Sequence, residues 1–70
     1  MPRLPNINAA KVVRRLKRHG FVLDYTTGSH YVLFHPKDGR RTTVPYHTKN
    51  IPKGTLATIL KQAGIPPEDF

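Results

Sequence analysis

The sequence predicts an α+β fold in which a three-stranded antiparallel sheet carries two helices on one face, in the order α-β-β-β-α. Three observations lead there. Apolar residues recur at helical spacing near both ends of the chain. Between these ends lie three short runs rich in β-branched and aromatic residues, separated by turn-forming residues. The third observation is size: a chain of 70 residues buries only ~60% of its unfolded surface, enough for one layer of helix on one layer of sheet.

The first helix is expected from Asn8, a good N-cap, to about His19, because Ala9, Val12, Val13 and Leu16 form an apolar stripe. Gly20 then ends it in a left-handed conformation. The opposite side of this helix carries Lys11, Arg14, Arg15, Lys17 and Arg18, a row of positive charge that suits either a solvated face or phosphate contact. FVLDYT, HYVLFHP and RRTTVPY follow as strands, joined by the turns TGS and KDG. Asp38-Gly39 is the chemistry of a tight hairpin, and Pro36 and Pro45, which lack a ladder donor, mark strand ends or an edge. Alternation divides the second strand into His30, Val32 and Phe34 against Tyr31, Leu33 and His35. Both sets hold apolar groups, so the pattern leaves the buried face open. After the linker HTKNIPKG, Leu56, Ile59, Leu60 and Ala63 form a second helical stripe, with Pro52 in the first turn and Gly64 as the stop. Ile65 and Phe70 of the tail are expected to fold back onto the core.

Composition narrows the function. With 12 Lys and Arg against 4 Asp and Glu, the formal net charge is +8, a field that attracts polyanions. There is no cysteine, and no cluster at metal-ligand spacing, so neither disulfide nor zinc is expected as staple or cofactor. Four acids make paired-carboxylate and two-metal chemistry improbable, and no P-loop or dinucleotide fingerprint is present. No apolar run approaches the ~20 residues of a membrane span, and MPRLPNIN holds no signal-peptide core, so a soluble cytoplasmic protein is the default expectation.

Against this background the turn Gly28-Ser29-His30 is the candidate for chemistry. Glycine permits close approach to the backbone, serine supplies a hydroxyl, and histidine titrates near neutrality. Such a ring can take a proton from a ribose 2′-hydroxyl or give one to a departing 5′-oxygen, and RNA carries its own nucleophile. Lys37, Arg40, Arg41 and Lys49 are candidates for stabilising the phosphate charge, and the plainer reading of His30 is a hydrogen bond at a hairpin end. His47 is the second candidate histidine; His19 suits a helix C-terminus and His35 suits packing beside a turn.

The motifs GSH, VP-x-H and KGTL-x-x-IL-x-x-AG, in this order, resemble those of the HicA toxins of bacterial and archaeal toxin–antitoxin pairs. The likeness runs over nearly the whole chain, implying one HicA-like domain over residues 1–70 with the layout of a small double-stranded-RNA-binding domain. It implies an mRNA-cleaving endoribonuclease without metal or organic cofactor. His30 matches the catalytic histidine and Gly28 and Ser29 complete its motif; His47 matches a recurring family histidine of unassigned role. The implied partners are RNA and a HicB-type antitoxin that covers the cleavage face. The rivals are a non-catalytic RNA-binding module of the same fold, and a protein-interaction domain with no salt-dependent RNA affinity.

Overall fold

The computed structural model describes residues 6–46 and 50–70. Its elements are α1 (Ala9–Arg18), β1 (Val22–Thr26), β2 (His30–Phe34), β3 (Arg41–Pro45) and α2 (Lys53–Ala63), followed by a short 3-10 turn, Pro67–Asp69. The predicted α-β-β-β-α order holds, and the sheet is antiparallel throughout with β2 at its centre.

Each helix begins and ends for local reasons. The Asn8 side chain accepts a hydrogen bond from the Lys11 amide at 2.9 Å, a cap that contributes about 1 kcal/mol. Arg15, Lys17 and Arg18 occupy the last turn of α1, where the free carbonyls favour positive charge. Ala9, Val12 and Leu16 are buried, and Val13 packs beside them at the margin. On α2 the buried residues are Leu56, Ile59, Leu60 and Ala63, the predicted stripe, and Gly64 closes the helix in the left-handed region. Among the described residues no helix is long and apolar enough to cross a membrane.

The register settles which face of β2 is covered. Tyr31 stands opposite Val44 and Leu33 opposite Thr42, and Leu33 and Val44 are fully buried in one cluster with Val12, Leu16, Leu56 and Ile59. Thr42 also enters this layer, and its hydroxyl is satisfied by the Ile59 carbonyl at 3.3 Å and the Gln62 side-chain oxygen at 3.1 Å. His30, Val32 and Phe34 therefore project from the opposite face, together with their partners Val22 and Tyr25 on β1 and Arg41, Thr43 and Pro45 on β3. The second strand looked ambiguous because its outward set is apolar too. Val32 is shielded although it lies on the open face, since it sits in the central strand between Tyr25 and Thr43.

β1 is an edge strand whose five residues are all exposed. Its register shifts between Leu23 and Tyr25, a bulge that leaves Asp24 without a β2 partner. The Asp24 carboxylate accepts from Arg41 at 2.7 Å across the open face, and the Arg41 guanidinium lies 5.4 Å from the centre of the Phe34 ring.

The β2–β3 connection differs from a tight hairpin. His35 N–H donates to the Arg40 carbonyl at 2.8 Å and Gly39 N–H to the His35 carbonyl at 2.7 Å, so residues 36–39 form a four-residue loop. The loop is pinned to the core. The His35 ring meets Phe21 edge-on at 5.2 Å, and its Nε2 would lie 2.8 Å from a Cβ built at Gly20, where φ is +92°. Arg40 donates to the Ala63 carbonyl at the end of α2 and to Asp38 at 2.8 Å, while its guanidinium lies 5.5 Å from the Phe21 ring centre.

Two further contacts close the structure. Ile51 N–H donates to the Ile7 carbonyl at 2.8 Å, joining the segments that lead into α1 and α2, and both isoleucines are buried. At the C-terminal end Ile65 is buried, and Phe70 packs under Arg15, which donates to its backbone oxygen at 3.3 Å.

Candidate active site

The β1–β2 turn is organised by hydroxyl groups. Thr27 Oγ1 accepts from the backbone N–H of Ser29 at 3.3 Å and of His30 at 3.0 Å, and Thr27 N–H donates to the His30 carbonyl at 2.9 Å. A threonine side chain that captures amides two and three residues ahead holds the turn locally.

Tyr46, one residue past the end of β3, clamps this turn from the side. Its N–H donates to the Ser29 carbonyl at 3.1 Å and its hydroxyl donates to the Thr27 carbonyl at 3.1 Å. Its ring packs 4.7 Å from that of Tyr31, which is itself set against the core. Sequence reasoning missed Tyr46. The VP-x-H segment drew attention to His47, and nothing local shows that the residue between Pro45 and His47 reaches back to residues 27–29.

Within the clamped turn, Ser29 Oγ and His30 Nδ1 are 2.7 Å apart. Either can donate in this contact, according to the tautomer. When Nδ1–H donates to Oγ, the Nε2 lone pair is free to accept a proton; once it has done so, the same contact stabilises the imidazolium. Nε2 has no hydrogen-bond partner among the described residues, and His30 is half-buried at the start of the central strand on the open face. Gly28 beside it is exposed, adopts no positive φ, and a Cβ there would meet nothing within 4 Å among the described residues. Neither a left-handed backbone nor crowding by those residues calls for glycine at this position.

A model of the HicA toxin of bacterial toxin–antitoxin systems matches residues 9–65. The chain belongs to the HicA toxin family. Comparison with curated proteins finds no match. The matched region runs from the first residue of α1 to just past α2 and includes the whole Gly28-Ser29-His30 turn. Membership makes this HicA chain a toxin of a toxin–antitoxin system and implies an antitoxin as its partner.

The HicA fold brings some predicted residues together and separates others. Lys11, Arg14, Arg15 and Arg18 line a concavity of about 190 Å³ on α1, and Lys17 is exposed on the same helix. Because α1 packs on the helix-bearing side of the sheet, this basic stripe and the His30 ring lie on opposite sides of it. Lys37, Arg40 and Arg41 are at the other end of the sheet, since His30 pairs with Pro45 whereas Arg41 pairs with Phe34, four residues or ~13 Å along β2. Arg40 and Arg41 are further committed to Asp38 and Asp24. Asp38 is correspondingly perturbed: hydrogen bonds from the Arg40 side chain and then its amide hold the carboxyl below its ordinary value of 3.8. His19 is the C-cap of α1. His47 and Lys49 lie outside the described residues.

Proposed function

We propose that this HicA chain is an endoribonuclease toxin in which His30 is the proton-transfer residue. The observation that carries the reading is the Ser29–His30 contact in a turn clamped by Tyr46, which engages Nδ1 and leaves Nε2 without a hydrogen-bond partner among the described residues. In the reaction His30 Nε2 removes the proton of a ribose 2′-hydroxyl, the 2′-oxygen attacks the adjoining phosphorus, and the phosphorus–5′-oxygen bond breaks. The departing 5′-oxygen takes up a proton from solvent water and the His30 imidazolium returns its proton to the hydroxide so formed, leaving a 2′,3′-cyclic phosphate on one fragment and a 5′-hydroxyl on the other. General acid–base help of this kind is worth ~10²–10⁴-fold in rate.

In this reading Gly28 supplies the approach, since a phosphodiester can come close to a backbone with no side chain. The stripe of Lys11, Arg14, Arg15, Lys17 and Arg18 holds more distant phosphates of the message, and Lys37, Arg40 and Arg41 form a second positive margin. Lys49 is kept as a candidate for phosphate contact and His47 as a candidate second site histidine. The partner is a HicB-type antitoxin that covers the open face and blocks RNA, and a net charge of +8 favours one with an acidic surface. The setting is the cytoplasm, where messenger RNA is at hand. No metal or organic cofactor is required.

The test incubates the purified chain with a labelled single-stranded RNA, and with the same sequence as DNA, in EDTA, beside His30→Ala. RNA cut only by the unmodified chain, with DNA untouched, supports the reading. Equal RNA binding by both proteins with no cutting replaces it by the RNA-binding module.

A further inference from the structure

The chain has 3 Tyr and 3 Phe, and five of these rings have a partner. Phe21 meets His35, Tyr31 meets Tyr46, Phe34 lies under Arg41, and Phe70 lies under Arg15. The sixth is Tyr25. It has no ring, cation or hydrogen-bond contact among the described residues and is 55% exposed, the most exposed large hydrophobic residue described.

Its position is specific. Tyr25 stands opposite Val32 on the open face, and His30 is two residues before Val32 on the same face. The two rings therefore occupy diagonal cross-strand positions, which are about 7–8 Å apart and within reach of long aromatic side chains. The β1 bulge at Asp24 precedes Tyr25, and the Asp24–Arg41 pair it creates covers Phe34. Of the two aromatic residues on this face, the one beside His30 is left uncovered.

We propose that Tyr25 is a stacking platform for the base of a nucleotide adjoining the scissile phosphate, and so a positioning residue for cleavage. The proposal rests on the ribonuclease reading of His30. Exposed aromatics on a sheet face are the usual way for a protein to hold an unstacked single-stranded base, because every base has a π-face. A base on the Tyr25 ring, at this separation from His30, belongs to a nucleotide next to the phosphate that His30 serves. Such a contact selects single-stranded RNA over duplex, whose bases are already stacked, and is tolerant of base identity. A partner protein covering the same ring is the alternative occupant. The continuity of Tyr25 with the histidine, and the positive charge of the chain, favour the nucleotide.

Two measurements test this. In a His30→Ala background, which separates binding from cutting, Tyr25→Ala should weaken affinity for a short single-stranded RNA about 5- to 100-fold, and Tyr25→Trp should restore it. The chain has no tryptophan, so that variant also provides a single fluorophore. Its emission should be quenched by base-bearing RNA and left unchanged by an RNA abasic at the nucleotide beside the cut. With His30 intact, Tyr25→Ala should cut more slowly, with an unaltered thermal midpoint. Cleavage and RNA affinity unchanged in Tyr25→Ala would overturn the platform while leaving the nuclease reading in place. So would a loss confined to antitoxin affinity, which would assign the ring to the protein partner. Quenching by RNA in a chain that never cuts would uphold stacking and remove the nuclease.

Discussion

The central strand carries one histidine at its first residue and another just past its last, and the two have opposite surroundings. His30 leaves the sheet on the open face, with one ring nitrogen held by Ser29 and the other without a partner among the described residues. His35 is an odd number of residues further on, so strand alternation turns it toward the helices. There it packs edge-on against Phe21, accepts from the Lys37 amide at 3.3 Å and lies 3.6 Å from Asp38. The same side chain thus stands on the open face at one end of the strand and packs against the core at the other. Parity within the strand, together with what lies above each face, decides which.

Exchanging each histidine for alanine should break the comparison most visibly. His30→Ala should lower RNA cleavage by at least ~10²-fold with little change in the thermal midpoint. His35→Ala should retain cleavage and lose about 1–3 kcal/mol in denaturant unfolding, because a packed ring is removed from Phe21. Loss of activity from both, at equal stability, would contradict the division of roles.

The glycines beside the two rings sharpen it. Gly20→Ala places a Cβ 2.8 Å from His35 Nε2 on a backbone of positive φ, and should cost about 1–3 kcal/mol. Gly28→Ala meets open space at ordinary φ and should change stability by less than about 0.5 kcal/mol, while cleavage falls because substrate can no longer approach the backbone. Unchanged cleavage in a folded Gly28→Ala protein would show that nothing approaches there.

Next in size is the clamp. Tyr46→Phe removes the hydrogen bond to the Thr27 carbonyl and should cost about 0.5–1.5 kcal/mol, with the loss of protection concentrated in the β1–β2 turn in hydrogen exchange. Uniform loss over the sheet would mean that Tyr46 acts through its ring against Tyr31 instead.

The smallest effect is at the His35 end. Arg40 lowers the Asp38 carboxyl below 3.8, so its contribution to stability is complete above the unfolded value and disappears as pH falls through the folded one. Asp38→Asn should therefore lower stability slightly in the neutral region, where the ionised carboxylate contributes, leave the most acid end unchanged, and so flatten the acid limb below about pH 4. An unaltered acid limb would show that the Arg40 contact is not maintained in solution.

The two helices and their buried stripes were legible because Ala9, Val12 and Leu16, and Leu56, Ile59, Leu60 and Ala63, repeat at one period with a cap at each boundary. The strands were legible from composition, but their facing was not, since Val32 and Leu33 are equally apolar and only cross-strand register separates them. At the candidate site, the turn motif pointed to Gly28, Ser29 and His30, whereas the Tyr46 clamp joins segments distant in sequence and has no local signature. The positions of Lys37, Arg40 and Arg41 at the far end follow from the β2–β3 pairing. Periodicity within one strand says nothing about which end of its neighbour lies alongside.

The hydrogen bond between Ile51 and Ile7 has a kinetic consequence. Both hairpins are local contacts of the kind that close within microseconds, whereas this bond ties together segments far apart in sequence and is expected to form late. Interactions that form after the rate-limiting step of folding govern the rate of unfolding. Loosening the Ile7–Ile51 latch should accordingly shorten the lifetime of the folded toxin more than it slows refolding, which unfolding and refolding rates measured side by side would check.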